Sequence, residues 1–144
     1  MTSDAPLVGS VRGWAVVVAA LAAVTGVACG GAELLPPTTG TPVPLTEVFS
    51  GTLGRNGAVT HPFASQAGGS VTVTLQELEP DTTIGLSLGT WNGTSCQIVI
   101  ADDAAVRQSS IVGTVSGVGN LCVRVYDVGN LIEPVSYTVS VFHP

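Results

Sequence analysis

The chain has 144 residues, enough for one domain, and carries ten acids against four bases, all of them arginine, for a formal net charge of −6. An acidic surface without lysine repels phosphate backbones, which argues against nucleic-acid binding, and it offers no basic patch to grip anionic lipid. The hydrophobic fraction of 45% mixes two unlike parts, an apolar N-terminal stretch and a polar, alternating remainder.

Val11–Ala28 contains no acid and a single base, Arg12, and Trp14–Ala28 is apolar almost throughout. A run of about 15 residues falls short of the 20 or so that a spanning helix needs. A short basic arm, an apolar stretch and small residues at its end describe an export signal over residues 1–28. A buried helix or a retained anchor is the competing interpretation. The run closes on Gly26-Val27-Ala28-Cys29-Gly30-Gly31, which resembles the lipobox of bacterial lipoproteins. There a small residue precedes a cysteine that becomes the lipidated N-terminus after cleavage. Ala28 and Cys29 match; Gly26 stands where leucine is usual, and Gly26-x-Ala28 would also suit the ordinary signal peptidase. The resemblance implies a lipid on Cys29 and a membrane-anchored product, displayed at the outer membrane or cell surface, with a periplasmic or secreted one as the alternative.

Three cysteines leave one over in an exported protein. With Cys29 lipidated, Cys96 and Cys122 remain, and an oxidising compartment makes a disulfide their default state. Such a bridge, closing about 27 residues, restrains the unfolded chain by roughly 3 kcal/mol. Two free buried thiols are the alternative, and the long spacing disfavours a metal site.

Residues 29–46 are rich in Gly, Thr and Pro, with Pro36, Pro37, Pro42 and Pro44 close together, which predicts a semi-rigid tether. From residue 47 to 144 the pattern changes to short alternating runs between turn signals. Val48–Leu53 is followed by the tight-turn pair Asn56-Gly57 and by Ala58–Phe63. Val71, Val73 and Leu75 alternate with Thr72, Thr74 and Gln76; Ile84, Leu86 and Leu88 alternate with Gly85, Ser87 and Gly89. Cys96–Ala101 is read as a strand with Asp102-Asp103 in the loop after it, and Ser109–Val115, Leu121–Tyr126 and Tyr137–Val141 complete a set of eight. No helical period of comparable length follows residue 28. Eight short strands in under 100 residues predict an all-β fold, an antiparallel sandwich or a small barrel.

Residues 43–142 resemble the bacterial pre-peptidase C-terminal domain family. The resemblance is carried by Phe49-Ser50-Gly51-Thr52-Leu53 with Phe63–Leu75, by Pro80-Asp81-Thr82-Thr83-Ile84-Gly85-Leu86-Ser87-Leu88, and by Gly119–Tyr126 with Ser136–Val141. It implies an eight-stranded, jelly-roll-like sandwich that is usually a non-catalytic appendage of secreted peptidases, some relatives binding collagen or calcium. No peptidase domain accompanies it on this chain. Thr82 and Thr83 also stand where the family often has a second acid, which weakens a calcium expectation.

No zinc-hydrolase helix motif, nucleophile elbow or phosphate-binding glycine loop occurs. His61 is expected to pack at an inward strand position and His143 to lie exposed beside the last residue, leaving few partners for a nucleophile. Asp81, Asp102 and Asp103 are the candidate calcium ligands, with a solvated turn as the alternative for the Asp pair. Trp91 and Tyr126 are candidates for a surface that binds a glycan or peptide, core packing being the alternative. Asn92-Gly93-Thr94 is formally a glycosylation sequon but reads as a turn. Together these features predict a non-catalytic envelope module that binds or supports a protein or glycan. Calcium-dependent adhesion and ligand-free surface display are the alternatives.

Overall fold

The computed structural model describes residues 40–144. The expected export signal, Cys29 and most of the expected tether lie outside the described residues. Eight antiparallel strands follow in order: β1 (Leu45–Leu53), β2 (Ala58–Ser65), β3 (Gly69–Glu79), β4 (Ile84–Trp91), β5 (Cys96–Ala105), β6 (Ser110–Val115), β7 (Gly119–Tyr126) and β8 (Val135–His143). They form two four-stranded sheets, β1-β8-β3-β6 and β2-β7-β4-β5, which is the jelly-roll order.

The alternation read from the sequence is what divides each strand between core and solvent. On β8, Val135, Tyr137, Val139, Val141 and His143 are buried and face the other sheet, while Ser136 and Phe142 are exposed. On β3, Val71, Val73 and Leu75 are fully buried. Opposite them, the second sheet contributes Phe63, Ile84, Leu86, Leu88, Leu121, Val123 and Val125. Burying such side chains is worth roughly 1.5–3 kcal/mol each, which makes this interface the main drive for folding. The expected turn at Asn56-Gly57 forms: Asn56 has φ +53 and Gly57 N–H donates to the Gly54 carbonyl at 3.0 Å.

Three expectations are corrected. β1 begins at Leu45, before the Val48 start expected from alternation, because pairing with β8 continues to Leu45↔His143. Asp102 and Asp103 lie inside β5 and not in a loop. The register there slips between Ile84↔Ala105 and Leu86↔Asp102, so a β-bulge on this edge strand takes up the extra residue. His143 is 1% exposed where exposure was expected. It is the last inward position of β8, it packs on Phe63 with ring centroids 5.0 Å apart, and its Nε2 lies 3.0 Å from Glu47 Oε1.

β4 departs from simple alternation, since Ile84 to Gly89 are buried on both faces. Its outward positions are Gly85, Ser87 and Gly89, and neighbouring groups cover them. Tyr126, register partner of Gly85, lays its ring where a Cβ on Gly85 would stand. A Cβ on Gly89 would collide with the Gln97 carbonyl oxygen, so only glycine lets the start of β5 bend across β4. That bend brings Cys96 to Cys122, two strands away in the sheet, with Cα atoms 5.8 Å apart and a disulfide between them.

Candidate functional site

The antiparallel order assigns every turn to one of two ends. At one end lie the β1–β2 turn, the loops 80–83 and 106–109, and the long loop 127–134. At the other lie the turns 66–68, 92–95 and 116–118, together with the start of β1 and the end of β8. Glu77, Glu79, Asp81, Asp102, Asp103, Asp127 and Glu133 all fall in the first half, with Arg55, Arg107 and Arg124. In the second half Glu47 and His143 are the only ionisable side chains among the described residues besides the disulfide cysteines, and they pair with each other.

The candidate residues at the charged end are held in separate arrangements. Tyr126 donates its hydroxyl to Asp103 on the bulge of β5. Burial, then the hydrogen bond and charge of Asp103, push the phenol up to about 12, so it stays a donor at any physiological pH. Arg124 sits with Cζ 5.9 Å from the Tyr126 ring centre, a cation–π approach on the outer face of the sheet. Asp102 Oδ1 accepts from the Ala104 N–H at 2.9 Å. Asp81 takes both its contacts from Arg107, at 2.7 and 2.6 Å, and this pair ties the loop before β4 to the loop after β5. Asp127 accepts from the backbone N–H of Asn56, Gly129, Asn130 and Leu131, led by Asn56, and these bonds hold its carboxyl below the usual range.

Asp81, Asp102 and Asp103 thus share an end of the molecule without converging. No group of three or more His, Cys, Asp or Glu suited to a metal occurs among the described residues. Calcium needs six to eight oxygens on one centre, and these carboxylates, each turned to a different donor, do not fit it as arranged. Trp91 and Tyr126 are also separated. Both face outward on the same sheet, but Tyr126 stands opposite Gly85, and Trp91 is six residues further along β4, about 20 Å away. They do not form one aromatic platform. Asn92 shapes its turn as expected, its Oδ1 accepting from the Thr94 and Ser95 N–H at 2.9 and 2.8 Å.

His61 behaves as the sequence implies. It is half-buried, stacks on Phe49 at 4.9 Å, and shares a hydrogen bond between its Nε2 and the Tyr137 hydroxyl over 2.8 Å. Burial lowers its pKa and raises that of Tyr137 to about 12, so burial favours the neutral form of both partners. Sequence reasoning missed the Arg107 partner of Asp81 and the Glu47–His143 pair. The first carried no local signal, because 26 residues separate the partners; the second follows once the alternation of β8 is run on to residue 143.

Neither a scan against protein-family models nor a search of curated proteins finds a match. Among solved structures, the chain is similar to a periplasmic lysozyme inhibitor of g-type lysozyme from Aeromonas hydrophila, with TM-score 0.50 and 13% identity, over 67% of this chain and 83% of that one. It is also similar to the Yersinia pseudotuberculosis-derived mitogen, with TM-score 0.49 and 12% identity, over 71% of this chain and 88% of that one. At these identities the likeness concerns the fold alone.

Proposed function

We propose that the chain is a non-catalytic module of the bacterial cell envelope, exported by residues 1–28, anchored through a lipid on Cys29, and binding a protein partner with the charged end of its sandwich. The observation that carries this reading is the segregation of charge: seven carboxylates against three arginines (3 − 7 = −4) occupy one half of a sandwich whose other half holds a single acid, paired with His143. Such a field steers and selects a basic partner. A protein is favoured over a glycan because Trp91 and Tyr126 stand too far apart to stack on one sugar. The fold shared with a periplasmic inhibitor of lysozyme supports a binding role in the same compartment. The jelly-roll order is the topology that the resemblance to the pre-peptidase C-terminal domains implies.

The test is titration calorimetry of residues 29–144 against basic exported proteins, with a g-type lysozyme as the first probe. Binding is expected to weaken as salt rises and to weaken further in the variant Asp81→Asn, Asp102→Asn, Glu133→Gln. Binding indifferent to both, or no binding at low salt, overturns the reading. A rise in melting temperature with millimolar calcium would move it toward calcium-dependent adhesion.

A further inference from the structure

The end opposite the carboxylates has its own surface chemistry. Its three turns, Gln66-Ala67-Gly68, Asn92-Gly93-Thr94-Ser95 and Ser116-Gly117-Val118, contain no charged side chain. Large apolar side chains stand exposed on or beside it: Val43 at 83%, Leu45 at 54%, Val118 at 78% and Phe142 at 48%. The one ionisable pair at this end is partly covered: His143 is 1% exposed and bonded to Glu47, whose side chain is 33% exposed. The strand that continues from the tether, β1, also starts here, at Leu45.

We infer that this end, uncharged apart from the Glu47–His143 pair, rests on the lipid surface that holds Cys29, so that the seven carboxylates of the other end project away from it. The inference depends on the anchoring proposed above. The tether alone does not decide the orientation. Fifteen residues separate Cys29 from Leu45, and they reach about 50 Å when extended, longer than the sandwich. Charge decides it. The strands span about 30 Å from end to end, and fields are screened over about 8 Å at physiological salt. With the uncharged end down, the carboxylates lie beyond the reach of an anionic lipid surface. With the charged end down, those seven carboxylates, offset by only three arginines (3 − 7 = −4), are pressed into its field. The uncharged end, by contrast, presents hydroxyls, amides and apolar side chains, which sit in a headgroup layer without stripping water from an ion.

The experiment uses the full chain produced in a bacterium, in two versions, Val118→Cys and Asn130→Cys, one at each end. With Cys96 and Cys122 bridged and Cys29 lipidated, the new thiol alone accepts a fluorescent label. Each protein is placed in phosphatidylethanolamine–phosphatidylglycerol vesicles that contain a headgroup nitroxide quencher. Mass spectrometry of the mature N-terminus accompanies each sample. Quenching several-fold stronger at position 118 than at 130 is expected. Equal quenching, stronger quenching at 130, or none at either site on protein confirmed as lipidated overturns the inference. If the mass shows an unmodified Cys29, the anchoring reading fails by itself. The same vesicles, mixed with that protein carrying Cys29→Ser as well so that position 118 alone takes the label, then judge the surface alone, and absence of quenching at 118 overturns it. Self-quenching of the 118 label in lipid-free solution would assign the end to a second copy of the chain and overturn it equally.

Discussion

The two sheets have the same strand count and share one core, yet their outer faces are built differently. The face of β1-β8-β3-β6 is a lattice of exposed hydroxyls joined across strands: Ser50 to Thr138 at 3.1 Å, Thr138 to Glu77 at 3.2 Å, Gln76 to Ser140 at 2.8 Å and Thr74 to Ser110 at 2.8 Å. Each of these solvated bonds contributes little, because water replaces it readily. The face of β2-β7-β4-β5 is closed by larger devices: a disulfide, a tyrosine ring over Gly85, and a backbone crossing over Gly89. One face is therefore tolerant of change and the other is not, although both look half-polar in sequence.

Removing the bridge should break this contrast most. Cys96→Ser with Cys122→Ser is expected to lose about 3–4 kcal/mol, since it frees a closed loop in the unfolded chain, and urea unfolding with and without reductant measures it. Gly89→Ala follows at about 3 kcal/mol, because the new methyl collides with the Gln97 carbonyl oxygen and the obstacle is backbone, not a movable side chain. Its melting curve should fall even with the disulfide intact. Between the faces, Tyr137→Phe removes the hydroxyl that links the sheets through His61 and should cost about 1 kcal/mol.

The same link responds to pH. Burial lowers the His61 pKa below its unfolded value near 6.5, so the unfolded state binds the proton more readily. The stability from keeping this ring neutral is complete above 6.5 and is lost as pH falls toward the folded value; His61→Gln should flatten that part of the stability–pH curve. Ser50→Ala on the hydroxyl face is the smallest change, with an expected loss within about 0.5 kcal/mol.

The sequence made the eight strands legible because alternation with period two survives wherever one face of a strand is wet. Val71–Gln76 and Leu121–Tyr126 show this directly. The same rule understated β4: Gly85, Ser87 and Gly89 look like a solvent face, yet they are buried because small residues admit covering groups from elsewhere in the chain. It also misplaced Asp102-Asp103, since a polar pair inside an edge-strand bulge has the local composition of a loop. The candidate site was least legible. Its carboxylates lie as far apart in sequence as Glu77 and Glu133, and only the antiparallel order reveals that they belong to one end.

Pro62 has a consequence for life at high density. It sits on β2, the edge of its sheet, and supplies no N–H to the open side of that strand. A neighbouring molecule that tried to zip onto this border would find a missing rung, while the bulged, aspartate-bearing β5 spoils the opposite border. Edge-to-edge growth of copies through this sheet is therefore hindered at both of its borders. Pro62→Val would repair the rung, and its product should be the one that turns cloudy on concentration.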